Sequence, residues 1–133
     1  YEYHVTLEEN SWHEHNLTAT QWGGNLASFH SANELLFVLD NVIDSDNWTF
    51  WIGGLRKNNS EDMDGTGNAW MWSDGSSWDY SNWYHREPNN FVLDGRENII
   101  EDRTELRHNG KWFDSEGNEN RRLRAIYKKV SLH

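Results

Sequence analysis

Tryptophan is the residue that most limits how this chain can fold. The 133 residues include nine tryptophans, five tyrosines and five phenylalanines, although the mean hydropathy is only -0.99. Large aromatic side chains dominate core energetics wherever they are buried. We therefore expect an aromatic-rich core with small aliphatic residues between the rings. The length suits one domain with a core of useful size, so we predict a single domain over residues 1–133.

Charge and cysteine content exclude several classes of function. The net charge of -10 and the pI near 5.0 argue against nucleic acid or an anionic membrane surface as a partner. The absence of cysteine excludes disulfides, thiol catalysis and thiolate metal sites. No apolar run approaches the ~18 residues of a membrane span, so membrane insertion is not expected. The chain begins at Tyr1 rather than methionine, which we interpret as a domain taken from a larger protein.

Two capping boxes predict two helices. Ser11 with Glu14, and Ser31 with Glu34, have the spacing with which a serine side chain caps a helix start. Gly23-Gly24 should end the first helix. The first helix carries Trp12, Ala19 and Trp22, and the second should bury Leu35, Leu36, Leu39 and Val42.

Short strands and a long polar stretch complete the pattern. Alternation or buried apolar runs predict strands at 1–7, 49–52 (closed by Gly53-Gly54), 70–72, 105–108, 111–113 and 123–130. Asn109-Gly110 is typical of a hairpin turn. Residues 56–98 are rich in Asn, Asp, Ser, Gly and Trp, and long irregular stretches of this kind are usually functional. The order indicates an α+β domain.

The lone proline lies between two side chains that can bind a cation, in Glu87-Pro88-Asn89. An X-Pro bond adopts the cis form far more readily than any other peptide bond. A cis bond would turn the Glu87 carboxylate and the Asn89 carboxamide to the same side, offering oxygens to a hard cation and N–H donors to its ligand. The alternative is an ordinary turn with proline at its second position.

An ordered series of motifs resembles the C-type lectin-like domain. The series covers nearly the whole chain, and its members are the Trp12 helix, Gly23 to Ser28, Ser31 to Phe37, Trp51-Ile52-Gly53, Trp72-Ser73-Asp74-Gly75, Tyr80 to Trp83, Glu87-Pro88-Asn89, Glu97, and Gly110-Lys111-Trp112 with Asp114. The resemblance implies a double-loop α+β fold. Two helices would pack on small antiparallel sheets, a long loop would bind calcium, and no disulfides would be present.

The same resemblance implies a function and a site. In the family the proline is cis, and the Glu-Pro-Asn form is associated with mannose-, glucose- and fucose-type sugars. The resemblance implies a Ca²⁺ ion held by Glu87, Asn89, Glu97 and Asp114. Two neighbouring sugar hydroxyls would bind that ion, with further hydrogen bonds to Glu87, Asn89 and Glu97. Calcium accepts ~6–8 oxygens.

The chain departs from the family pattern in two ways. The usual four cysteines are missing, with Ala19 and Ile126 or Tyr127 in place of one bridge and Ile99 and Gly117 in place of the other. Each lost bridge would remove ~2–4 kcal/mol, and this lack resembles bacterial calcium-loaded adhesins more than animal secreted lectins. Phe113 also replaces an asparagine that would bind calcium and sugar.

A second metal site is a further hypothesis. Asp62, Asp64 and Asn68 alternate around glycines as at the start of a calcium loop, and Asn90 and Asp94 lie near the main site in sequence. The alternative is a solvated turn rich in Asx and glycine. We also expect the histidines to lie at the surface and Trp83 to pack in the core, and we leave Trp78 open.

The resulting prediction is a non-enzymatic, calcium-dependent glycan-binding module. Its partners would be fucose- or mannose-type glycans on cell surfaces, and its role would be adhesion, including biofilm formation. We expect an extracellular or cell-surface location, a bacterial source, and a monomeric module within a larger adhesin. The alternative is a protein- or ice-binding module on the same fold that does not use sugar.

Overall fold

The strands and helices follow the predicted order closely. The computed structural model describes residues 1–43, 48–58, 63–90, 101–107 and 109–131. The helices are α1 (Trp12–Trp22) and α2 (Ala32–Asn41), and the strands are β1 (Glu2–Val5), β2 (Asn25–Leu26), β3 (Phe50–Arg56), β4 (Trp70–Trp72), β5 (Arg103–Leu106), β6 (Trp112–Ser115) and β7 (Arg124–Lys129). The predicted α+β fold is confirmed.

Both helices start at the predicted capping serines. The backbone N–H of Glu14 donates to Ser11 Oγ at 3.2 Å, and that of Glu34 donates to Ser31 Oγ at 3.1 Å. Each bond satisfies an N–H that has no partner within its helix. α1 ends at Gly23, whose φ of 103° lies in the left-handed region that glycine adopts without strain.

The strands form one seven-stranded sheet. Its path is β1-β7-β3-β5-β6, with β2 also pairing with β7 and β4 with β3. The pairing of β3 with β7 is parallel, whereas the pairings around it are antiparallel. The family resemblance predicted separate small sheets. The pairing of β3 with β7 instead joins the strands into a single sheet.

Gly53 and Gly54 lie inside β3 rather than at its end, so this part of the strand prediction is wrong. A Cβ atom on Gly54 would lie 2.3 Å from Thr104 Oγ1 on β5, and one on Gly53 would lie 2.7 Å from the carbonyl oxygen of Leu26. Glycine is present here because neighbouring chain segments approach closely on both sides. The strand consequently continues to Arg56.

The core is built from aromatic rings, as predicted. Trp51, Trp70, Trp72 and Trp112 have no exposed surface. The Trp72 and Trp112 rings meet edge to face with centroids 5.4 Å apart, an arrangement that favours the ring quadrupoles. Half-buried Trp78 and Trp83 pack against the core cluster that contains Trp72 and Trp112, so Trp83 lies where expected and Trp78 also contributes to packing.

Two burial predictions are wrong. His15 is only 3% exposed, and its ring nitrogens contact the Tyr127 hydroxyl at 2.8 Å and the Leu123 carbonyl oxygen at 2.7 Å. These two partners make a buried imidazole tolerable where we expected surface histidines. Leu36 is 52% exposed, because α2 buries a narrower stripe, centred on Leu35 and Val38, than its apolar sequence suggested.

Candidate functional site

The segment that carries the lone proline is fixed against the edge of β6. The Trp112 N–H donates to the Asn82 carbonyl oxygen at 3.0 Å, and the Tyr84 N–H donates to the Trp112 carbonyl oxygen at 2.9 Å. The Glu87 N–H then donates to the Tyr84 carbonyl oxygen at 2.9 Å. Main-chain hydrogen bonds to the sheet thus place Glu87 beside the β5–β6 hairpin.

Glu87 and Asn89 face the same side of the chain. The Glu87-Pro88 peptide bond is cis, and Asn89 Nδ2 donates to Glu87 Oε1 at 3.2 Å. Pro88 is buried while Asn89 is exposed. A Cβ atom on Gly65 would lie 3.0 Å from Pro88 Cδ, so the 64–66 turn packs directly behind the proline.

Asp114 holds this segment in place through hydrogen bonds to its backbone. Its side chain has no exposed surface. Oδ1 accepts from the Asn89 N–H at 3.1 Å, and Oδ2 accepts from the Asn90 N–H at 2.7 Å. The carboxylate that the family resemblance suggested as a calcium ligand therefore also holds the backbone on both sides of Asn89.

Arg56 pairs with the same carboxylate, and sequence reasoning missed it. Its Nη2 lies 2.9 Å from Asp114 Oδ2, and its side chain is 6% exposed. Its Nε donates to the Glu101 carbonyl oxygen at 3.1 Å, and its guanidinium lies 4.7 Å from the centroid of the Trp70 ring. The sequence signal is an arginine directly after the apolar Phe50–Leu55 run, because a charge at the end of such a run needs a partner.

The electrostatics at Glu87 favour a bound cation. Among the described residues, its Oε2 is buried without a hydrogen-bond donor. Burial, contact with the Asp114 carboxylate, and the charges of Asp114 and Glu101 raise the pKa of Glu87, while Arg107 opposes this rise. A divalent cation would relieve the repulsion between the carboxylates, and an oxygen-rich donor set of this kind fits calcium.

The described side chains supply only part of a coordination shell. Within the described ranges, no three His, Asp or Glu side chains are grouped closely enough to hold a metal ion. Glu87, Asn89 and Asp114 are brought together, whereas Glu97 lies outside the described residues. The four-residue calcium site therefore stays a prediction.

The second predicted metal site also stays a prediction. Asp62 and Asp94 lie outside the described residues. Asp64 Oδ1 accepts from the Thr66 N–H at 2.8 Å and from its hydroxyl at 2.6 Å, which is the turn alternative. The N–H of Asn68 donates to Thr66 Oγ1 at 3.2 Å. Asn90 Oδ1 accepts from the Glu101 N–H at 2.8 Å.

Phe113 occupies the position of the family asparagine and has its own partners. Its ring stacks on Tyr84 with centroids 5.0 Å apart and planes 21° apart. The Arg107 guanidinium carbon lies 3.6 Å from the Phe113 ring centroid. An aromatic surface therefore replaces an oxygen and an amide beside Glu87.

A cavity of about 840 Å³ lies elsewhere, between the end of α1 and β7. Its lining includes Trp22, Gly24, Asp74 and Lys128, and it contains none of the predicted site residues.

The part of the chain that the structure describes contains no helix long and apolar enough to span a membrane.

Several curated proteins are similar in sequence. The chain is 33% identical to C-type mannose receptor 2 of Rattus norvegicus over 132 residues, which are 96% of this chain and 8% of that protein. It is 35% identical over 92 residues to lymphocyte antigen 75 of Homo sapiens, covering 68% and 5%. It is 43% identical over 81 residues to ladderlectin of Oncorhynchus mykiss, covering 59% and 37%. The chain thus spans a minor part of each relative. No protein-family model matches it.

Solved structures share the fold. The human scavenger receptor C-type lectin carbohydrate-recognition domain superposes with a TM-score of 0.77 at 22% identity, covering 97% of this chain and 90% of that one. A calcium-independent type II antifreeze protein superposes with a TM-score of 0.75 at 23% identity, covering 98% and 86%. The relatives are C-type lectins and receptors, which are binding modules rather than enzymes. By fold and by sequence similarity, this chain is a C-type lectin-like domain.

Proposed function

We propose that this domain binds carbohydrate through a calcium ion at Glu87-Pro88-Asn89. The observation that supports this best is the pairing of Glu87 and Asn89 on one side of the cis bond. Asp114 accepts a hydrogen bond from the Asn89 N–H, and the buried Glu87 Oε2 has no hydrogen-bond donor among the described residues. The site thus presents carboxylate oxygens together with an exposed carboxamide.

Glu87, Asn89 and Asp114 would hold the ion together with Glu97, and the Asp114 carbonyl oxygen is a further candidate ligand. Calcium suits these hard oxygens and supplies coordination positions for two neighbouring sugar hydroxyls. Asp114 also acts through the backbone, because its hydrogen bonds to the Asn89 and Asn90 N–H groups fix where the carboxamide lies.

Glu87 and Asn89 also have direct roles toward the sugar. A carboxylate accepts a hydrogen bond from a hydroxyl, and the charge makes this bond stronger than a neutral one. The Asn89 Nδ2 group donates in return. Because each hydroxyl must match a carboxylate and an amide, this pair selects sugars by hydroxyl stereochemistry. We propose mannose- or fucose-type sugars, following the Glu-Pro-Asn resemblance.

The setting that we propose is a cell surface. The domain would be a monomeric, extracellular module of a larger adhesin that binds glycans on other cells and supports biofilm formation. A single sugar buries little surface, so useful adhesion would require many copies. The absence of cysteine supports a bacterial source, since such a domain folds without disulfide formation.

Retention on mannose and fucose resins, in calcium and in EDTA, tests the proposal. We expect retention in calcium, loss in EDTA, and loss in Glu87→Gln. Glu119→Gln is the matched control, because it removes one carboxylate charge at an exposed position outside the site. Retention in EDTA, or its absence in calcium, would contradict the proposal.

Two further measurements separate the ion from the sugar. A calcium concentration of 100 times the dissociation constant should stabilise the fold by about 2.7 kcal/mol, which unfolding experiments detect without any glycan. Asn89→Asp should weaken sugar binding more than calcium binding, because it removes the donor amide and keeps the oxygen. Equal sugar affinity in this variant would refute the proposed hydroxyl contact.

A protein- or ice-binding role on the same fold is the second candidate. The aromatic Phe113, which has no oxygen to offer a cation, favours it, as does the similarity in fold to a calcium-independent type II antifreeze protein. Thermal hysteresis that persists in EDTA, with no glycan retention, would support this candidate over the lectin.

A further inference from the structure

A second recognition surface lies beside Glu87. It consists of Tyr84, Phe113 and Arg107, which we name the aromatic–arginine platform. The Tyr84 and Phe113 rings are stacked, and the Arg107 guanidinium lies over Phe113. Tyr84 is 47% exposed, and the Arg107 side chain is 44% exposed. The platform therefore presents an aromatic face and a cation to solvent together.

The strand register holds the platform in place. Phe113 on β6 is directly opposite Glu105 on β5, so their side chains share one face of the hairpin. Arg107 is two residues beyond Glu105 and returns to the same face. Its Nε donates to Glu105 Oε1 at 3.1 Å. Glu105 is 1% exposed, so it fixes the arginine from within the fold.

Two arginines of this acidic protein meet beside the platform. Arg121 also binds Glu105, with its Nη2 2.8 Å from Oε2 and 3.1 Å from Oε1. Among the described residues, two guanidinium groups thus share the single Glu105 carboxylate. The protein as a whole has a net charge of -10. A local cation of this kind attracts anions that the rest of the surface repels.

The platform adjoins the proposed calcium site. The Glu87 N–H donates to the carbonyl oxygen of Tyr84 at 2.9 Å, so Tyr84 and Glu87 lie close together on one segment of the chain. A ligand bound at Glu87 and Asn89 can therefore extend onto Tyr84 and Arg107. The arginine fork matches the planar or tetrahedral oxygens of carboxylate and sulfate groups.

We propose that the platform binds the acidic group of an anionic glycan, a sulfate or a carboxylate, next to the sugar at Glu87 and Asn89. This inference rests on the proposed function. The apolar face of the adjoining sugar ring packs on Tyr84, while Arg107 binds the acidic group. The domain would thus prefer acidic glycans to their neutral counterparts, although its own charge is negative.

Binding of one disaccharide in neutral, sulfated and uronic-acid forms tests the proposal, in calcium and in EDTA. We expect one acidic form to bind more tightly, and which form does so identifies the group. Arg107→Gln should weaken binding of that form by roughly fivefold more than it changes binding of the neutral form, the upper end for an exposed charge pair. Arg107→Lys should bind the acidic form with an affinity between those of wild type and Arg107→Gln. Lysine keeps the positive charge but lacks the two parallel N–H donors of the guanidinium group.

Arg122→Gln is the control, because it removes the same charge at an exposed residue that binds Asn10 instead. Equal affinities for acidic and neutral forms would overturn the proposal, as would equal losses in Arg107→Gln and Arg122→Gln. Unfolding midpoints near wild type confirm that each variant folds. An Arg107-dependent preference that persists in EDTA would support the platform and contradict the calcium site, so the two failures are distinguishable.

Discussion

Replacing Arg56 by methionine tests how the loop at the proposed site is held. The change leaves the Asp114 carboxylate buried and still bonded to the Asn89 and Asn90 N–H groups, but without the cation that balances its charge. Breaking one side of a buried ion pair costs about 3–5 kcal/mol. Loss of the contact with Trp70 adds about 0.5–1 kcal/mol. The two costs sum to about 3.5–6 kcal/mol. Even at about 4 kcal/mol the loss is a large share of the free energy of unfolding, which is roughly 5–15 kcal/mol for a typical domain.

The effect on melting can be worked out from the chain length. At about 2.1 cal/mol/K per residue, the 133 residues give an unfolding entropy of about 0.28 kcal/mol/K. A loss of about 4 kcal/mol therefore lowers the Tm by about 14 °C. Urea unfolding followed by tryptophan fluorescence in EDTA measures the free energy directly. Arg122→Met is the exposed control and should stay within about 0.5 kcal/mol of wild type.

A second substitution gives a sharper test through its sign. Adding Asp114→Asn to Arg56→Met removes the unpaired buried charge and keeps an oxygen that can accept from a backbone N–H. We expect the double variant to be more stable than Arg56→Met alone. A double variant that loses the sum of the two single effects would refute the view that Arg56 compensates the Asp114 charge.

Three further predictions concern the scaffold. Gly54→Ala should lower the free energy of unfolding by about 1–3 kcal/mol, because the new methyl group meets Thr104. Gly67→Ala is the control, since a methyl group there makes only ordinary contacts of 3.4 Å or more. Similar urea midpoints for the two variants would contradict this prediction. Ser11→Ala should lower the free energy of unfolding by about 1 kcal/mol, because it removes the helix cap. Ser77→Ala at an exposed position is the control, and equal free energies of unfolding for the two variants would refute the role of the cap. Burial lowers the pKa of His15 in the folded protein. Below the usual histidine pKa of about 6.5, the unfolded chain therefore binds more protons at His15 than the folded protein does. The contribution of His15 to stability should therefore be constant above that value and fall as the pH drops through it. His15→Gln should flatten this slope in urea titrations, and an unchanged slope would count against the buried histidine.

Local signals explain why much of the fold was predictable. Ser11 and Ser31 cap helices through bonds to residues three positions away, and Gly110, with a φ of 81°, makes the hairpin turn. Interactions of this kind depend on a few adjacent residues, so the sequence pattern contains them. The placement of Gly53 and Gly54 was wrong because what requires glycine there is Leu26 and Thr104, which are distant in sequence.

The sequence by itself determined the aromatic core and the two capped helices, and it placed Glu87 and Asn89 on either side of Pro88. Only the tertiary structure decided that Arg56 neutralises Asp114 from β3 and that Arg107 covers Phe113. It also decided that His15 is buried against Tyr127. Propensity and capping act over a few residues, whereas charge pairing and burial depend on which distant segments the sheet brings together.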